Sequence, residues 1–123
     1  MKIYFIGAGP GDPELITCKG KKIIQSADII IYAGSLVNHR LLDWKKKDAE
    51  VYDSASMTLD DMCQVYKDNK KKRGIIARLH TGDPALYSAI GEQIRFLNEQ
   101  DIPWEVVPGV SAFSAAAAAL GLE

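Results

Sequence analysis

The sequence has little of what would mark a membrane, nucleic-acid-binding or secreted protein. Its 15 basic and 16 acidic residues nearly cancel, so no overall field favours a nucleic acid or an anionic membrane. The apolar runs all fall far short of the ~20 residues that a membrane-spanning helix needs. The first strand-like run reaches a glycine-rich turn too early for a secretory signal peptide. We therefore expect a cytoplasmic protein whose partners include neither nucleic acid nor a membrane.

Cysteine is scarce as well. Only Cys18 and Cys63 occur, far apart in the sequence and both in helix-like segments. This arrangement favours buried free thiols over a disulfide or a pair of metal ligands, so we expect no metal site. Internal repeats and low-complexity segments are absent, and 123 residues suit one domain with one modest core.

Basic residues are concentrated in two runs, at residues 45–47 and 70–73. Both runs come at the predicted ends of helices, where cations stabilise the exposed carbonyl groups of the last turn. Neither run has interleaved aromatic residues at a spacing that would stack nucleic-acid bases. The runs are therefore interpreted as helix ends rather than as a nucleic-acid site.

Short apolar runs alternate with helix-like segments along the whole chain. Strands are predicted at residues 3–6, 28–32, 50–52, 75–79 and 104–107. Helices are predicted at residues 14–26, 58–71, 86–99 and 111–120, with a loop and short helix at 36–44. Strands separated by helices of this length imply a parallel sheet with right-handed crossovers. The predicted fold class is therefore α/β, a single domain with a mostly parallel five-stranded sheet flanked by helices.

Local signals support several of these boundaries. Asp12 can cap the first helix, and Pro13 suits its first position, where a missing N–H is harmless. Thr58, followed closely by two acidic residues, is typical of a helix start. The unbroken isoleucines at 29–31 indicate a strand that is covered on both faces.

Three turn-rich segments each follow a predicted strand and precede a predicted helix, at residues 7–13, 80–84 and 106–112. The carboxyl ends of parallel strands share one edge of the sheet, and α/β folds bind ligands at that edge. The sequence therefore predicts a small-molecule site where these three turns meet.

The first turn matches only half of a dinucleotide-binding fingerprint. Gly7 and Gly9 fit the pattern, but Asp12 stands where the third glycine belongs. Pro10 also removes a backbone donor that a pyrophosphate needs. The second strand ends without the acid that would bind a ribose, and no Gly-Lys-Ser/Thr sequence provides a phosphate loop. On this pattern alone, the turn is either a ligand loop or a tight connection, and Asp83 either caps the next helix or balances a cationic ligand.

Four motifs together resemble the tetrapyrrole (corrin and porphyrin) methylases over essentially all 123 residues. They are GAGPGDPELIT at 7–17, ADIIIY at 27–32, TGDP at 81–84 and VPGVSA at 107–112. Within that family, three stretches most resemble the members that methylate carbon 11 of precorrin-4 or cobalt-precorrin-4. These are YAGSLV at 32–37, RLHTGDPALYSAI at 78–90 and the alanines after Phe113.

The resemblance implies an S-adenosyl-L-methionine-dependent C-methyltransferase of cobalamin biosynthesis with a tetrapyrrole substrate. It also implies that residues 1–123 form the N-terminal domain of a two-domain enzyme, with the cofactor in the cleft between the domains. The expected C-terminal domain is absent from this chain, so the isolated half should be inactive. Apolar surface left exposed by the missing domain would favour a homodimer.

Particular site residues follow from the resemblance. It implies cofactor contacts at Pro10, Thr81, Gly82, Asp83, Leu86, Ser111 and Ala112. It implies substrate contacts at Ser35, His39, Arg40, Met57 and His80. His80 could meet an acetate or propionate of the substrate or be a structural histidine, and His39 and Arg40 could equally be plain surface residues. Some family members that act on uroporphyrinogen have an acid, proposed as a base, at the position of Ala33, so no catalytic base is assigned.

Two alternatives stay open at this stage. One is another enzyme of the same fold with a different substrate. The other is a non-catalytic, self-associating α/β module whose glycine turns are purely structural. Binding of S-adenosylhomocysteine separates the module from both enzymes, and analysis of the product separates the two enzymes.

Overall fold

Five strands form one parallel sheet in the computed structural model, which describes residues 1–85 and 90–121. The strands are β1 (Lys2–Gly7), β2 (Ile29–Tyr32), β3 (Glu50–Asp53), β4 (Ile75–His80) and β5 (Trp104–Val107). Their order across the sheet is β3-β2-β4-β1-β5, and each neighbouring pair runs parallel. The α/β fold class predicted from the sequence is confirmed.

Four α-helices connect or follow these strands. They are α1 (Cys18–Ser26), α2 (Leu59–Asn69), α3 (Gly91–Glu99) and α4 (Ala112–Leu120). Short 3₁₀ helices occur at Pro13–Leu15, His39–Trp44 and Ser54–Ser56. The predicted start of the third long helix, at Leu86, lies outside the described residues. No helix in the described part of the chain is long and apolar enough to span a bilayer.

The predicted start of α2 is confirmed in detail. The Thr58 hydroxyl accepts a hydrogen bond from the backbone N–H of Asp61 at 3.1 Å. The Asp61 carboxylate in turn accepts one from the backbone N–H of Thr58 at 2.9 Å. This reciprocal pair satisfies two amide groups that the helix start would otherwise leave without partners.

The continuous helix predicted for residues 14–26 is wrong, because extended residues interrupt it before α1 begins. Ile16 and Thr17 are extended, with ψ angles of 150° and 154°. The Thr17 hydroxyl accepts a hydrogen bond from the backbone N–H of Gly20 at 3.0 Å and so begins a new helix. Asp12 therefore caps only the 3₁₀ turn, through the N–H of Glu14.

Both faces of the sheet are covered. On one face, Ile6, Ile30 and Leu79 pack with Ile23 and Ile24 of α1. On the other face, a second cluster includes Phe5 and Ile31 of the sheet, Tyr66 of α2 and Leu97 of α3. All four residues of β2 are buried, which confirms the expectation from its isoleucine run.

The last helix, α4, is packed differently from the others. Helices α1, α2 and α3 each bury at least two residues, whereas α4 buries none among the described residues. Phe113 and Leu120 expose 81% and 72% of their surface. An alanine-rich helix with exposed large apolar side chains is an incomplete packing layer.

Candidate functional site

Two of the three predicted ligand turns are joined by backbone hydrogen bonds. The N–H of Ala8 donates to the carbonyl of His80 at 2.7 Å, which extends the β1–β4 ladder past the strand ends. Gly9 and Gly82 then exchange two hydrogen bonds, of 3.2 and 2.8 Å, in a short antiparallel bridge. Both glycines have positive φ angles, +79° and +65°, which favour glycine over residues with a side chain.

The third turn touches the first two through its glycine. A Cβ atom added to Gly7 would lie 2.6 Å from the Cα and N atoms of Gly109 and 2.7 Å from the carbonyl oxygen of Gly82. Non-bonded atoms do not approach so closely, so no space for a side chain remains at Gly7. The backbones of all three turns are therefore in direct contact. The three turns therefore form a single surface at the carboxyl edge of β4, β1 and β5.

Most of the residues expected to bind a cofactor lie on this surface. The Cβ position of Gly82 is 3.6 Å from the N atom of Ala112 and 3.8 Å from the Cα of Ser111. Pro10 follows the bridge residue Gly9 and is half-buried. Leu86 lies outside the described residues. The structure therefore brings the turn at Gly82 together with the start of α4.

Two of these residues accept local backbone hydrogen bonds, and one of them, Ser111, is the N-cap of α4. The Asp83 carboxylate accepts from the N–H of Ala85 at 3.0 Å, and the Ser111 hydroxyl accepts from the N–H of Phe113 at 3.2 Å. The Asp83 bond lies in the turn after β4, whereas α3 begins at Gly91 with Ile90 as its N-cap and no side-chain cap, so Asp83 does not cap α3. Asp83 is half-buried beside the exposed Thr81, and its Oδ2 atom accepts no hydrogen bond from the residues that the structure describes.

Residues expected to contact a substrate gather at the neighbouring ends of β2 and β3. Asp53 Oδ1 accepts hydrogen bonds from the backbone N–H groups of Gly34 and Ala55, both at 3.0 Å. Nε2 of His39 donates to the carbonyl of Gly34 at 2.8 Å, and its ring meets the ring of Tyr32 edge-on. Asp53 therefore ties the loop after β2 to the segment after β3.

The exposed side chains of this second region differ in position. Ser35, His39 and Arg40 are exposed on the loop after β2, whereas Met57 is half-buried after the 3₁₀ turn that follows β3. Sequence reasoning missed Asp53. Hydrogen bonds from the N–H groups of Ala55 and Gly34 lower the pKa of its carboxyl. An acid at a strand end opposite a glycine loop was the only signal that could have found it.

His80 is oriented differently from the exposed candidates. Its imidazole packs near Phe5, with ring centroids 5.9 Å apart, and its Nε2 atom is buried with no partner among the described residues. Burial, with the nearby Arg78 charge, lowers the pKa of His80 to about 3. The side chain is therefore a neutral imidazole near pH 7, able to hydrogen-bond a carboxylate but not to form an ion pair with it.

Surface grooves occur away from the convergence of the three turns. A surface groove of about 440 Å³ lies at the opposite, amino end of the sheet, lined by Lys2, Asn98 and Trp104 among others. A second of about 280 Å³ lies between α1 and Trp44. The first groove does not touch the glycine turns, and the second meets only Pro13 at the end of the first turn, so neither lies where the three turns converge. In the ranges 1–85 and 90–121, no group of three or more His, Cys, Asp and Glu residues is placed to hold a metal.

The arrangement of strands and turns is that of a known family. The profile of the Tetrapyrrole (Corrin/Porphyrin) Methylases matches residues 2–123, and the chain belongs to this family. It is 53% identical over 122 residues to a cobalt-precorrin-4 C(11)-methyltransferase of Methanocaldococcus jannaschii. It is 49% identical over 123 residues to a precorrin-4 C(11)-methyltransferase of Pseudomonas aeruginosa.

Solved structures agree with these relatives. A crystal structure of a cobalt precorrin-4 methyltransferase superimposes with a TM-score of 0.95 at 48% identity, covering 99% of this chain and 51% of the other. A uroporphyrin-III C-methyltransferase from Thermus thermophilus, complexed with S-adenosylhomocysteine, has a TM-score of 0.78 at 31% identity. That likeness covers 95% of this chain and 48% of the other.

The chain spans about half the length of the curated relatives it matches. The alignment with the archaeal relative includes 99% of this chain and 47% of that relative. The alignment with the bacterial relative includes 100% of this chain and 49% of that relative. The family assignment therefore rests on about half the length of those relatives.

Proposed function

We propose that this chain forms the N-terminal half of an S-adenosylmethionine-dependent methyltransferase that methylates carbon 11 of precorrin-4 or cobalt-precorrin-4. The observation that carries the proposal is the backbone contact of Gly7, Gly82 and Gly109 at one sheet edge. It occurs in a chain about half identical to enzymes with that name. The cytoplasmic location expected from the sequence stays a prediction.

The chemistry of the three turns suits a sulfonium cofactor. They contain no lysine or arginine, and their two charged residues are Asp12 and Asp83. Pro10 removes one backbone donor from the first turn. A phosphate-containing cofactor would want donors and positive charge there, whereas a cation without phosphate fits neutral turns and a carboxylate. Pro10, Thr81, Gly82, Asp83, Ser111 and Ala112 would hold the cofactor.

S-adenosylmethionine, when bound, supplies an activated methyl group whose transfer leaves S-adenosylhomocysteine. The protein's part is to align the macrocycle carbon with the carbon–sulfur bond and to exclude water. The new carbon–carbon bond takes its electrons from the macrocycle, which then releases a proton to solvent. No side chain of this half is assigned as the base.

We further propose that the second half of the enzyme packs on α4 and closes the cofactor cleft. The start of α4, at Ser111 and Ala112, belongs to the turn surface, while Phe113 is 81% exposed beside it. A domain seated on the helix would bury Phe113 and complete the far wall of the site. Without that domain, the same apolar surface is available to a second copy, and a homodimer of the isolated chain is proposed on this ground.

Calorimetry with S-adenosylhomocysteine tests the cofactor site. The titration uses the 123-residue chain and a version extended through the expected second domain, with Asp83→Ala as the variant and the exposed Asp48→Ala as the matched control. We expect tight binding to the extended chain only, weakened by Asp83→Ala and not by Asp48→Ala. Absence of binding to either chain would sink the methyltransferase proposal and favour the structural module.

The substrate and the self-association need separate measurements. Incubation of the extended chain with S-adenosylmethionine and precorrin-4 or cobalt-precorrin-4 should add one methyl group at carbon 11, detected by mass and NMR. Methylation of a different tetrapyrrole only would support the other enzyme of this fold. Light scattering of the 123-residue chain should give a dimer that Phe113→Asp converts to a monomer, and a wild-type monomer contradicts the dimer proposal.

A further inference from the structure

Two polar side chains of β4 lie on the face of the sheet that α2 and α3 cover. Residues alternate across a strand, so Arg78 and His80 share a face with the core residue Ile76. In the sheet register Arg78 stands between Phe5 of β1 and Ile31 of β2. Both neighbours are fully buried and apolar. The nearby Tyr66 hydroxyl donates its hydrogen bond to Gln93 at 2.6 Å, and burial disfavours the charge of the guanidinium.

The Arg78 charge has no carboxylate partner among residues 1–85 and 90–121. Arg78 is only 9% exposed, and burial lowers the pKa of its guanidinium. Nη1 donates one hydrogen bond, to the carbonyl of Leu79 at 3.1 Å, and Nε finds no acceptor in the described part. None of the ion pairs found there includes Arg78. Residues 86–89, which join β4 to α3, contain no Asp or Glu in their sequence.

His80 continues the same polar face towards the ligand turns. It ends β4 and precedes the turn at 81–84, and its buried Nε2 also lacks a partner in the described residues. Arg78 lies close enough to His80 to help lower the pKa of its imidazole. A guanidinium and an imidazole with unused hydrogen-bonding capacity therefore stand together directly below the carboxyl edge. Buried cations in proteins are ordinarily paired, because an isolated one is strongly destabilising.

We propose that Arg78 and His80 bind a carboxylate of a ligand seated at the carboxyl edge, with Arg78 as its counter-charge. A guanidinium matches a carboxylate through paired hydrogen bonds, and a neutral imidazole can donate one more. The inference rests on the proposed function, because that function supplies two sources of the carboxylate. One is the methionine carboxylate of S-adenosylmethionine, and the other is an acetate or propionate of the tetrapyrrole.

Ligand titrations with the extended chain distinguish the two sources. The variants are Arg78→Met and Arg78→Lys, with the exposed Arg95→Met on α3 as the matched control. The probes are S-adenosylhomocysteine, methylthioadenosine, which lacks the amino-acid carboxylate, and uroporphyrin as a stable octacarboxylate. Because a hydrogen bond to a charged group contributes about 1.5 to 3 kcal/mol, losing it should weaken binding about 10- to 100-fold.

Each outcome has a definite meaning. If the carboxylate is that of the cofactor, Arg78→Met weakens S-adenosylhomocysteine binding about 10- to 100-fold and leaves methylthioadenosine unchanged. If it belongs to the substrate, Arg78→Met weakens uroporphyrin binding by a similar factor and spares S-adenosylhomocysteine. Arg78→Lys keeps the positive charge but lacks the paired N–H donors of the guanidinium, so it should lose less affinity than Arg78→Met. It also keeps the test possible if Arg78→Met does not fold.

The refuting result is also distinct from failure of the proposed function. If wild-type protein binds these ligands and both folded Arg78 variants bind them equally well, Arg78 is purely structural and the inference is overturned. If wild-type protein binds neither S-adenosylhomocysteine nor uroporphyrin, the proposed function itself fails.

Discussion

Replacing Gly7 by alanine is expected to separate the three turns at the carboxyl edge. The added Cβ would stand 2.6 Å from the Cα of Gly109 and 2.7 Å from the carbonyl oxygen of Gly82. Two carbon atoms need about 3.5 Å, so the turns must move apart by roughly 1 Å. Both neighbours are backbone and cannot rotate away, so the strain falls on the Gly9–Gly82 hydrogen bonds of 3.2 and 2.8 Å.

The expected loss is a substantial part of the domain's stability. Inserting a methyl group into a closely packed site destabilises by about 1 to 3 kcal/mol, against a total of about 5 to 15 kcal/mol for a domain. With a urea dependence of about 1.5 kcal/mol per molar, a loss of 2 kcal/mol lowers the unfolding midpoint by about 1.3 M. Equilibrium urea unfolding of the 123-residue chain, followed by circular dichroism, measures this shift.

A second glycine provides the matched control. Gly91 begins α3, has no positive φ, and none of the described residues outside its own helix lies within 4 Å of the Cβ that alanine would add. Gly91→Ala should therefore leave stability unchanged or raise it by up to about 1 kcal/mol. If Gly7→Ala unfolds at the same urea concentration as wild type, the close contact of the turns is wrong and the geometry of the candidate site with it.

Three further predictions concern other parts of the molecule. The pKa of His80 is about 3 in the folded protein and near 6.5 in the unfolded chain. Between pH 6.5 and 5 only the unfolded chain therefore protonates this imidazole, and the free energy of unfolding should fall by about 2 kcal/mol. Urea unfolding at each pH should show that His80→Gln flattens this dependence, with exposed His39→Gln as the control, and an unchanged slope in His80→Gln contradicts the assignment. Asp53→Ala should speed hydrogen exchange at the amides of Gly34 and Ala55, because both donate to that carboxylate. NMR measures the exchange, and unchanged rates would refute the tie. Thr17→Ala should lower the free energy of unfolding in urea by about 1 kcal/mol, because it removes the N-cap of α1. Thr17→Ser keeps a hydroxyl and should retain most of that stability, and an equal loss in both variants would show that the hydroxyl is not the cap.

The architecture could be predicted because its signals are local. The isoleucines of β2 indicate a strand buried on both faces, and Thr58 with Asp61 indicates the start of α2. The meeting of the three turns could also be predicted, because parallel strands bring their carboxyl ends to one edge whatever their order.

The features that the sequence could not predict depend on which residues, distant in sequence, come into contact in the folded chain. The break at Ile16 and Thr17 reflects a competition between one long helix and two capped pieces, which apolar periodicity does not decide. The role of Asp53 requires the β2–β3 pairing that sets its carboxylate opposite Gly34. That Arg78 has no carboxylate partner among residues 1–85 and 90–121 follows only from the positions of the elements packed around it.

The strand order also divides the carboxyl edge into two territories. The glycine turns follow β1, β4 and β5, whereas the loops tied together by Asp53 follow β2 and β3 at the far side of the sheet. Residues 33–57 form one contiguous stretch of sequence that meets the first glycine turn through a hydrogen bond from Asn38 Nδ2 to the carbonyl of Gly11, at 2.7 Å. It takes no part in the contact of Gly7, Gly82 and Gly109. In the proposed methyltransferase, divergence of this stretch between relatives would change which macrocycle is accepted, while the contact of the three glycine turns keeps its geometry.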